Sequence, residues 1–312
     1  MKKLIGLATA AALFIAGCGA ATLEGENKTE SGPVEEKDTS ELVVGVSIST
    51  LNNPFFVSLE QGITDLADEQ GTKVKSVDAQ DDTAKQTNDI DDLIQQGVDI
   101  LLINPVDSAA ITPAVESANA AGIPVITIDR SSDGGEVLTL VASDNVEGGE
   151  MAAKYIEEIS GTDVNTVQLE GVPGASATRE RGEGFTNVAE KSLNVLDSQT
   201  ANFDRAEGLT VMENMLQANP DIQAVFAQND EMALGAIEAI QSAGKTGEIQ
   251  VVGFDGTEDG IKAVEDGRLS ATVAQQPEEM GKLAMQAAFD YFSGETIEEY
   301  IASPLELVKS EE

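Results

Sequence analysis

Short runs of aliphatic residues alternate with helix-forming stretches along the chain from Leu42 onward, and this alternation constrains the fold more than any other feature. The runs are too short for helices and carry few polar residues, which is typical of strands buried on both faces of a parallel sheet. Strands that alternate with helices in this way predict βαβ units, with helices on both faces of the sheet. The sequence therefore predicts an α/β protein built from doubly wound parallel sheets.

Two series of such units follow one another, which is the pattern of two similar lobes. A chain of 312 residues exceeds the usual size of a single core, so two lobes are also expected from length. The first series has predicted strands at 43–48, 74–78, 100–103, 125–128 and 137–141, with helices near 54–70, 83–97 and 108–121. The second has strands near 164–169, 194–199, 222–226, 249–253 and 270–274, with helices near 145–160, 177–192, 205–218, 230–243 and 257–266. A last helix near 278–293 adds a further crossing, and a chain that crosses more than once makes a hinge beside a cleft.

The beginning of the chain lies outside both series. Met1 to Lys3 and the apolar run Leu4 to Ala16 have the charged start and short apolar centre of a secretory signal. The residues Ile15-Ala16-Gly17-Cys18 resemble the bacterial lipobox, in which the cysteine receives a diacylglyceryl group, and Cys18 is the only cysteine. A plain signal peptide with an incidental cysteine is the alternative.

The domain prediction follows from these segments. Residues 19–40 are small, polar and acidic without an apolar period, which is typical of a disordered tether. We predict a signal peptide over 1–17, a lipid-anchored tether over 18–40, an N-terminal lobe over 41–143 plus 276–304, and a C-terminal lobe over 144–275 plus 305–312. The predicted location is extracytoplasmic, with the protein anchored to the cell membrane by a lipid on Cys18.

Composition excludes several classes of function. The formal net charge is −38, which argues against nucleic acid as a partner because binding it needs a basic surface. There is no histidine, which removes Ser-His-Asp catalysis and most zinc sites. We predict no metal and no cofactor.

Polar residues follow several predicted strands, where ligands bind in open α/β sheets. Any one of them alone is explained by a turn or a helix cap. The stretch Leu51 to Phe56, read LNNPFF, follows the first strand and sets two aromatic rings beside amide groups, which suits a small polyhydroxylated ring; ordinary helix-start packing is the alternative. Arginine beside a carboxylate adds paired donors and acceptors that sugars need. The other strand-end residues are Asn104, Asp129, Arg130, Asn229, Asp255 and Gln275.

Long motifs distributed over about residues 42–309 resemble a known family. They are LNNPFF, LLINP, PVITIDR, ASDNV, RERGEGF, NFDRAEGL, VFAQNDEMALGA, VVGFDGT and ATVAQQP, in this order. They closely resemble the D-ribose-binding members of the type I periplasmic binding proteins, which serve bacterial ABC importers. The resemblance implies two lobes joined by three crossover strands that close over one sugar.

The resemblance also implies a ligand-binding set and a group of partners. The partners would be D-ribose or a similar monosaccharide and the subunits of an ABC permease, with a chemoreceptor as a further candidate; a monomer is expected and no enzymatic activity. The implied ligand-binding residues are Asn53, Phe55, Phe56, Asn104, Asp129 and Arg130 from the first lobe, and Arg181, Phe203, Asn229, Asp255 and Gln275 from the second lobe and the hinge.

Three alternatives stay open at this point. One is a binding protein for another sugar, such as allose, xylose or a furanosyl signal molecule. Another is a sugar-sensing transcriptional regulator, which would need an N-terminal helix-turn-helix where this chain carries a signal. The third is a glycosidase with Asp129 and Asp255 as its carboxylate pair.

Overall fold

The computed structural model of the chain describes residues 36–310. The predicted signal sequence, Cys18 and most of the predicted tether lie outside the described residues. The strands are β1 (Val43–Ile48), β2 (Lys73–Asp78), β3 (Ile100–Ile103), β4 (Val125–Ile128), β5 (Thr139–Ser143), β6 (Val164–Glu170), β7 (Leu193–Thr200), β8 (Ala224–Ala227), β9 (Gln250–Asp255), β10 (Ala271–Ala274), β11 (Tyr300–Ser303) and β12 (Glu306–Lys309). The helices are α1 (Pro54–Gln70), α2 (Thr83–Gln95), α3 (Thr112–Ala120), α4 (Asn145–Ser160), α5 (Ser176–Ser192), α6 (Arg205–Ala218), α7 (Asp230–Ser242), α8 (Glu258–Glu265) and α9 (Pro277–Phe292).

The strands form two sheets of similar layout. The first sheet has the order β11-β5-β4-β3-β1-β2 and the second has the order β12-β10-β9-β8-β6-β7. All recorded pairings are parallel except the antiparallel pairing of β12 with β10. We call the first sheet with α1, α2, α3 and α9 the first lobe, and the second sheet with α4 to α8 the second lobe.

The chain passes between the lobes three times. It leaves the first sheet after β5, returns after β10 through α9, which packs on α1, and leaves again between β11 and β12. Three crossings of this kind agree with the predicted three-crossover hinge.

Buried aliphatic strands build the core of each lobe. Every residue of β3, β4 and β8 is buried, as expected for strands covered on both faces by helices. In the second lobe one apolar cluster contains Val167, Met212 and Val225, and another contains Phe185, Phe226 and Phe254. The rings of Phe185 and Phe226 stack at 4.9 Å between centroids. Both sheets are thus rigid supports for the loops at their strand ends.

Local signals explain why the helices begin where they do. Asn53 accepts a hydrogen bond from the amide of Phe55, and Pro54 occupies the first turn of α1. Asp144 accepts from the amide of Glu147 and so caps α4, as predicted. No helix within residues 36–310 is long and apolar enough to cross a membrane.

Three sequence-based assignments were wrong in detail. Helix α3 begins at Thr112 rather than 108, because the Asp107 carboxylate accepts from the amides of Ala109 and Ala110 and holds a separate turn there. Strand β5 lies two residues later than predicted, at Thr139–Ser143. The strands β11 and β12 were not predicted, since each has four residues, half exposed, and Pro304 separates them.

Candidate functional site

Loops at the strand ends of both lobes surround one small cleft. The space measures ≈ 220 Å³, with open solvent at its mouth included. Its lining residues are Asn53, Phe55, Phe56, Asp129, Arg130, Ala177, Arg181, Phe203, Asn229 and Asp255.

Three aromatic rings form the apolar part of the cleft. Phe55 and Phe56 are buried and meet edge to face, with centroids 5.1 Å apart. Phe203 comes from the other lobe, and its backbone has a φ of 60°. A Cβ atom at Gly171 would lie 2.0 Å from the Phe203 ring, so only glycine lets the ring occupy this place.

The first lobe contributes a buried ion pair. Arg130 Nε lies 3.5 Å from Asp129 Oδ2, and Arg130 Nη1 donates to the carbonyl of Pro105 at 3.0 Å. Burial raises the pKa of the Asp129 carboxyl, while the charges of Arg130 and Arg181 act in the opposite direction. The φ of 65° at Asp129 turns the chain at the end of β4.

The second lobe contributes a matching ion pair. Arg181 Nη1 lies 3.4 Å from Asp255 Oδ1 and donates to the Gln228 carbonyl at 2.7 Å, and Arg181 Nε donates to Asn145 Oδ1 at 2.8 Å. The guanidinium carbon lies 3.8 Å from the ring centroid of Phe254. Burial raises the pKa of Asp255 to about 8, and Arg181 opposes the rise. Each lobe therefore presents a carboxyl group and a guanidinium to the same space.

Two asparagines, Asn53 and Asn229, line the cleft and also cap a helix. The side-chain oxygen of Asn53 caps α1, and that of Asn229 caps α7 by accepting from the amide of Met232 at 2.9 Å. The side-chain nitrogen of Asn229 donates to the carbonyl of Phe203 at 3.2 Å. The capping interpretation of such residues was therefore correct as well, and it does not compete with a place in the cleft.

Two predicted residues lie behind the lining rather than in it. Asn104 donates to the Ile128 carbonyl at 3.0 Å and approaches Asp129 Oδ2 at 3.4 Å. Gln275 donates to Asp255 Oδ1 at 2.9 Å. Both side chains orient a carboxylate that faces the cleft. Ala177, at the start of α5, lines the cleft but was not predicted, and a lone alanine gives no signal of such a place.

Several buried polar atoms in and directly behind the cleft lining have no hydrogen-bond partner among residues 36–310. They are Asp129 Oδ1, Arg130 Nε and Gln275 Oε1. Buried polar groups are almost always hydrogen-bonded, so the cleft is suited to a molecule that carries both donors and acceptors.

Comparison with known proteins decides the family. A family model described as periplasmic binding protein domain matches residues 44–296. The chain belongs to this family. The ribose import binding protein of Bacillus subtilis is 56% identical over 308 residues, which cover 98% of this chain and 99% of that protein. The Escherichia coli protein of the same description is 49% identical over 309 residues, covering 99% of this chain and 98% of that protein.

Solved structures lead to the same family. The Caulobacter myo-inositol binding protein bound to myo-inositol superimposes with a TM-score of 0.83 at 30% identity, covering 89% of this chain and 96% of that one. The two-lobe type I fold and the family resemblance predicted from the sequence are confirmed. As a periplasmic binding protein the chain has an extracytoplasmic location and is not an enzyme, so the glycosidase alternative was wrong.

Proposed function

We propose that this periplasmic binding protein captures D-ribose between two closing lobes and delivers it to an ABC-type membrane permease. One observation carries the proposal: two buried carboxyl–guanidinium pairs, Asp129 with Arg130 and Asp255 with Arg181, face one ring-lined cleft from opposite lobes. The name of the relative that is 56% identical over nearly the full length supports ribose as the sugar. We propose the residues predicted from the sequence as the ligand-binding set, with Asn104 and Gln275 acting through the carboxylates that they orient.

The chemistry of the cleft matches the chemistry of a sugar. Each hydroxyl both donates and accepts, so a carboxylate and a guanidinium side by side can satisfy neighbouring hydroxyls. Charge-assisted hydrogen bonds of this kind contribute about 1.5–3 kcal/mol each. The rings of Phe56 and Phe203 would cover the apolar C–H faces of the sugar.

Selectivity follows from the same groups. An epimer or a deoxy sugar leaves a buried donor or acceptor of the cleft unpaired, and this costs more than the lost contact alone. We expect the protein to discriminate D-ribose strongly from its epimers, such as D-xylose.

Closure is the mechanical step of the proposal. The lobes that close are the predicted ones, residues 41–143 plus 276–304 and residues 144–275 plus 305–312. A ligand that contacts both lobes only in the closed arrangement shifts the equilibrium toward it. The permease would then recognise the closed protein, which acts as a monomer.

Membrane attachment is the last part of the proposal. Cys18 is the only cysteine and follows Ile15-Ala16-Gly17 in the manner of a lipobox. We expect that Cys18→Ala releases the protein from the cell surface, whereas the native chain partitions with membranes and carries the mass of a diacylglyceryl group. Equal membrane partitioning of both chains would contradict the anchor.

A panel of thermal melts tests the ligand. Sugar at a hundred times its dissociation constant stabilises the folded protein by about 2.7 kcal/mol, which moves the melting temperature by several degrees. The panel holds D-ribose, D-allose, D-xylose, D-galactose, D-glucose and myo-inositol. A shift with D-ribose at the lowest concentration supports the proposal, and a shift with another member alone would reassign the ligand.

A further inference from the structure

A second set of contacts joins the lobes beside the cleft, outside its lining. The amide of Ser108 in the first lobe donates to the carbonyl of Gly174 in the second at 3.0 Å. The amide of Ser176 donates back to Ser108 Oγ at 3.2 Å. The amide of Ser131, also in the first lobe, donates to Ser176 Oγ at 2.9 Å. We call these four residues the cross-lobe latch.

The two side chains whose hydroxyls accept latch hydrogen bonds, those of Ser108 and Ser176, are shielded from solvent. Ser108 has an exposed fraction of 0% and Ser176 of 2%. Neutral hydrogen bonds at such positions matter because an unpaired partner would stay buried. The neighbouring ion pair between Arg179 and Asp133, at 3.1 Å, also joins the lobes, but both side chains are nearly half exposed, so solvent screens it.

The first-lobe side of the latch is held in place independently of the second lobe. The Ser108 carbonyl accepts from the amide of Asp133 at 2.8 Å, which ties two first-lobe loops together. Asp107 Oδ1 accepts from the amides of Ala109 and Ala110 at 2.9 and 2.7 Å. The loop that carries Ser108 therefore meets the second lobe as a preformed surface.

Gly174 permits the close approach of the two surfaces. A Cβ atom at this position would lie 1.7 Å from Asp107 Oδ2 and 2.4 Å from its Cγ. The Asp107 side chain is short, and two backbone amides donate hydrogen bonds to its carboxylate. It therefore cannot move away from a methyl group at position 174 without losing those bonds. Gly174 does not have a positive φ, so alanine is compatible with its backbone and would obstruct only the contact between the lobes.

We propose that the cross-lobe latch sets the affinity for the sugar by stabilising the closed arrangement without touching the sugar. The proposal rests on the proposed function, since its premise is that the lobes close over a ligand. The latch bonds link residues of different lobes, so they form only on closure. They therefore stabilise the closed state and not the open state, and they slow the opening that releases the sugar.

Three single variants test the latch: Ser176→Ala, Gly174→Ala and, as the matched control, Ser270→Ala. Ser270 is also a hydrogen-bonded serine, but its Oγ contacts Gln250 and the amide of Val251 inside the second lobe. The measurements are the association and dissociation rate constants for D-ribose by stopped-flow fluorescence or surface plasmon resonance, and the melting temperature of the sugar-free proteins.

Each variant has a distinct expected result. Ser176→Ala loses one neutral cross-lobe hydrogen bond and should raise the dissociation rate constant by roughly 2- to 12-fold with association unchanged. Gly174→Ala should weaken binding more, by roughly 5- to 150-fold, because it overpacks the contact. Both should melt like the native protein without sugar, whereas Ser270→Ala should melt earlier and bind D-ribose with native affinity.

Two results would overturn the latch. One is native affinity for D-ribose in both Ser176→Ala and Gly174→Ala. The other is weaker binding in variants whose sugar-free proteins also melt at a lower temperature than the sugar-free native protein. Failure of the proposed function itself has a different signature, because the native protein would then not bind D-ribose in the same assay.

Discussion

The guanidinium carbon of Arg130 lies 5.3 Å from the ring centroid of Phe203, although the two residues belong to different lobes. The same guanidinium lies 5.1 Å from the ring of Phe56 in its own lobe. A cation between two rings gains roughly 0.5–2 kcal/mol per contact, more where water is excluded. Arg130 thus contacts aromatic rings of both lobes, and its contact with Phe203 exists only where the lobes lie close together.

Replacing Arg130 tests this central position. Arg130→Ala removes the hydrogen-bond donors and leaves the Asp129 carboxylate without its charge partner, which costs about 2–5 kcal/mol in a buried contact. We expect the dissociation constant for D-ribose, measured by calorimetry, to rise at least about 30-fold. Arg268→Ala is the control, because Arg268 is exposed and pairs with Asp266 on the surface. Equal affinities of the two variants would contradict the site.

Gly171 provides a test of the Phe203 ring. Gly171→Ala places a methyl group where the ring now lies, so the ring must move away from the cleft. We expect sugar affinity to fall by about tenfold, in the range of overpacking costs of 1–3 kcal/mol. Phe203→Leu keeps the glycine and removes the aromatic face, and it should weaken binding as well. Native affinity in Gly171→Ala would show that the ring position is unimportant.

The raised pKa of Asp255 predicts how stability changes with pH. Burial raises this pKa to about 8, against a value of about 3.9 in an unfolded chain, so folding increases the proton affinity of this carboxyl. The stabilisation is fully present below pH ~4 and is lost as pH rises through about 8. Burial likewise raises the pKa of Asp230 to about 6, which adds a loss of the same sign at lower pH.

Asp255→Asn isolates the contribution of this one carboxyl. The variant side chain is neutral at every pH, so the sugar-free native protein should lose melting temperature relative to the variant between about pH 4 and 8. Asp266→Asn, at a half-exposed surface position, serves as the control and should follow the native curve. A constant offset between native protein and Asp255→Asn across the pH range would contradict the expectation.

Asp230 is buried outside the cleft and should matter for stability. Its carboxylate accepts from the amide of Thr257 at 2.8 Å, from Thr257 Oγ1 at 3.1 Å and from Thr272 Oγ1 at 2.7 Å. Asp230→Ala leaves these donors unpaired, and we expect the free energy of unfolding to fall by about 3 kcal/mol or more in urea titrations. Asp259→Ala, an exposed change on α8, should stay within about 1 kcal/mol. A loss no larger than that in Asp230→Ala would contradict this structural role.

Local signals made much of the fold predictable. The alternation of apolar runs and the Asn53-Pro54 start gave the bounds of β1 and α1, because caps and periodicity act over a few residues. The edge strands β11 and β12 escaped prediction since their stability comes from pairing with distant strands, Tyr300 with Leu140 and Ala271 with Lys309. Contacts of that kind leave little trace in a short sequence window.

The cleft was predictable in its membership more than in its geometry. Residues at strand ends converge because parallel strands end at one edge, and the family resemblance supplied Arg181 and Phe203. Asp129 and Asp255, however, have φ values of 65° and 113°. Positive φ is uncommon in residues other than glycine, so the sequence did not predict these backbone conformations. Whether a polar side chain lines the cleft or supports its neighbour, as Asn104 does, depends on such turns.

A calorimetric titration of the native protein with D-ribose tests whether this cleft binds the sugar. We expect one sugar bound per chain, a negative heat-capacity change from apolar burial between the lobes, and no comparable heat with D-glucose. Saturable binding of another sugar with no heat from D-ribose would contradict it.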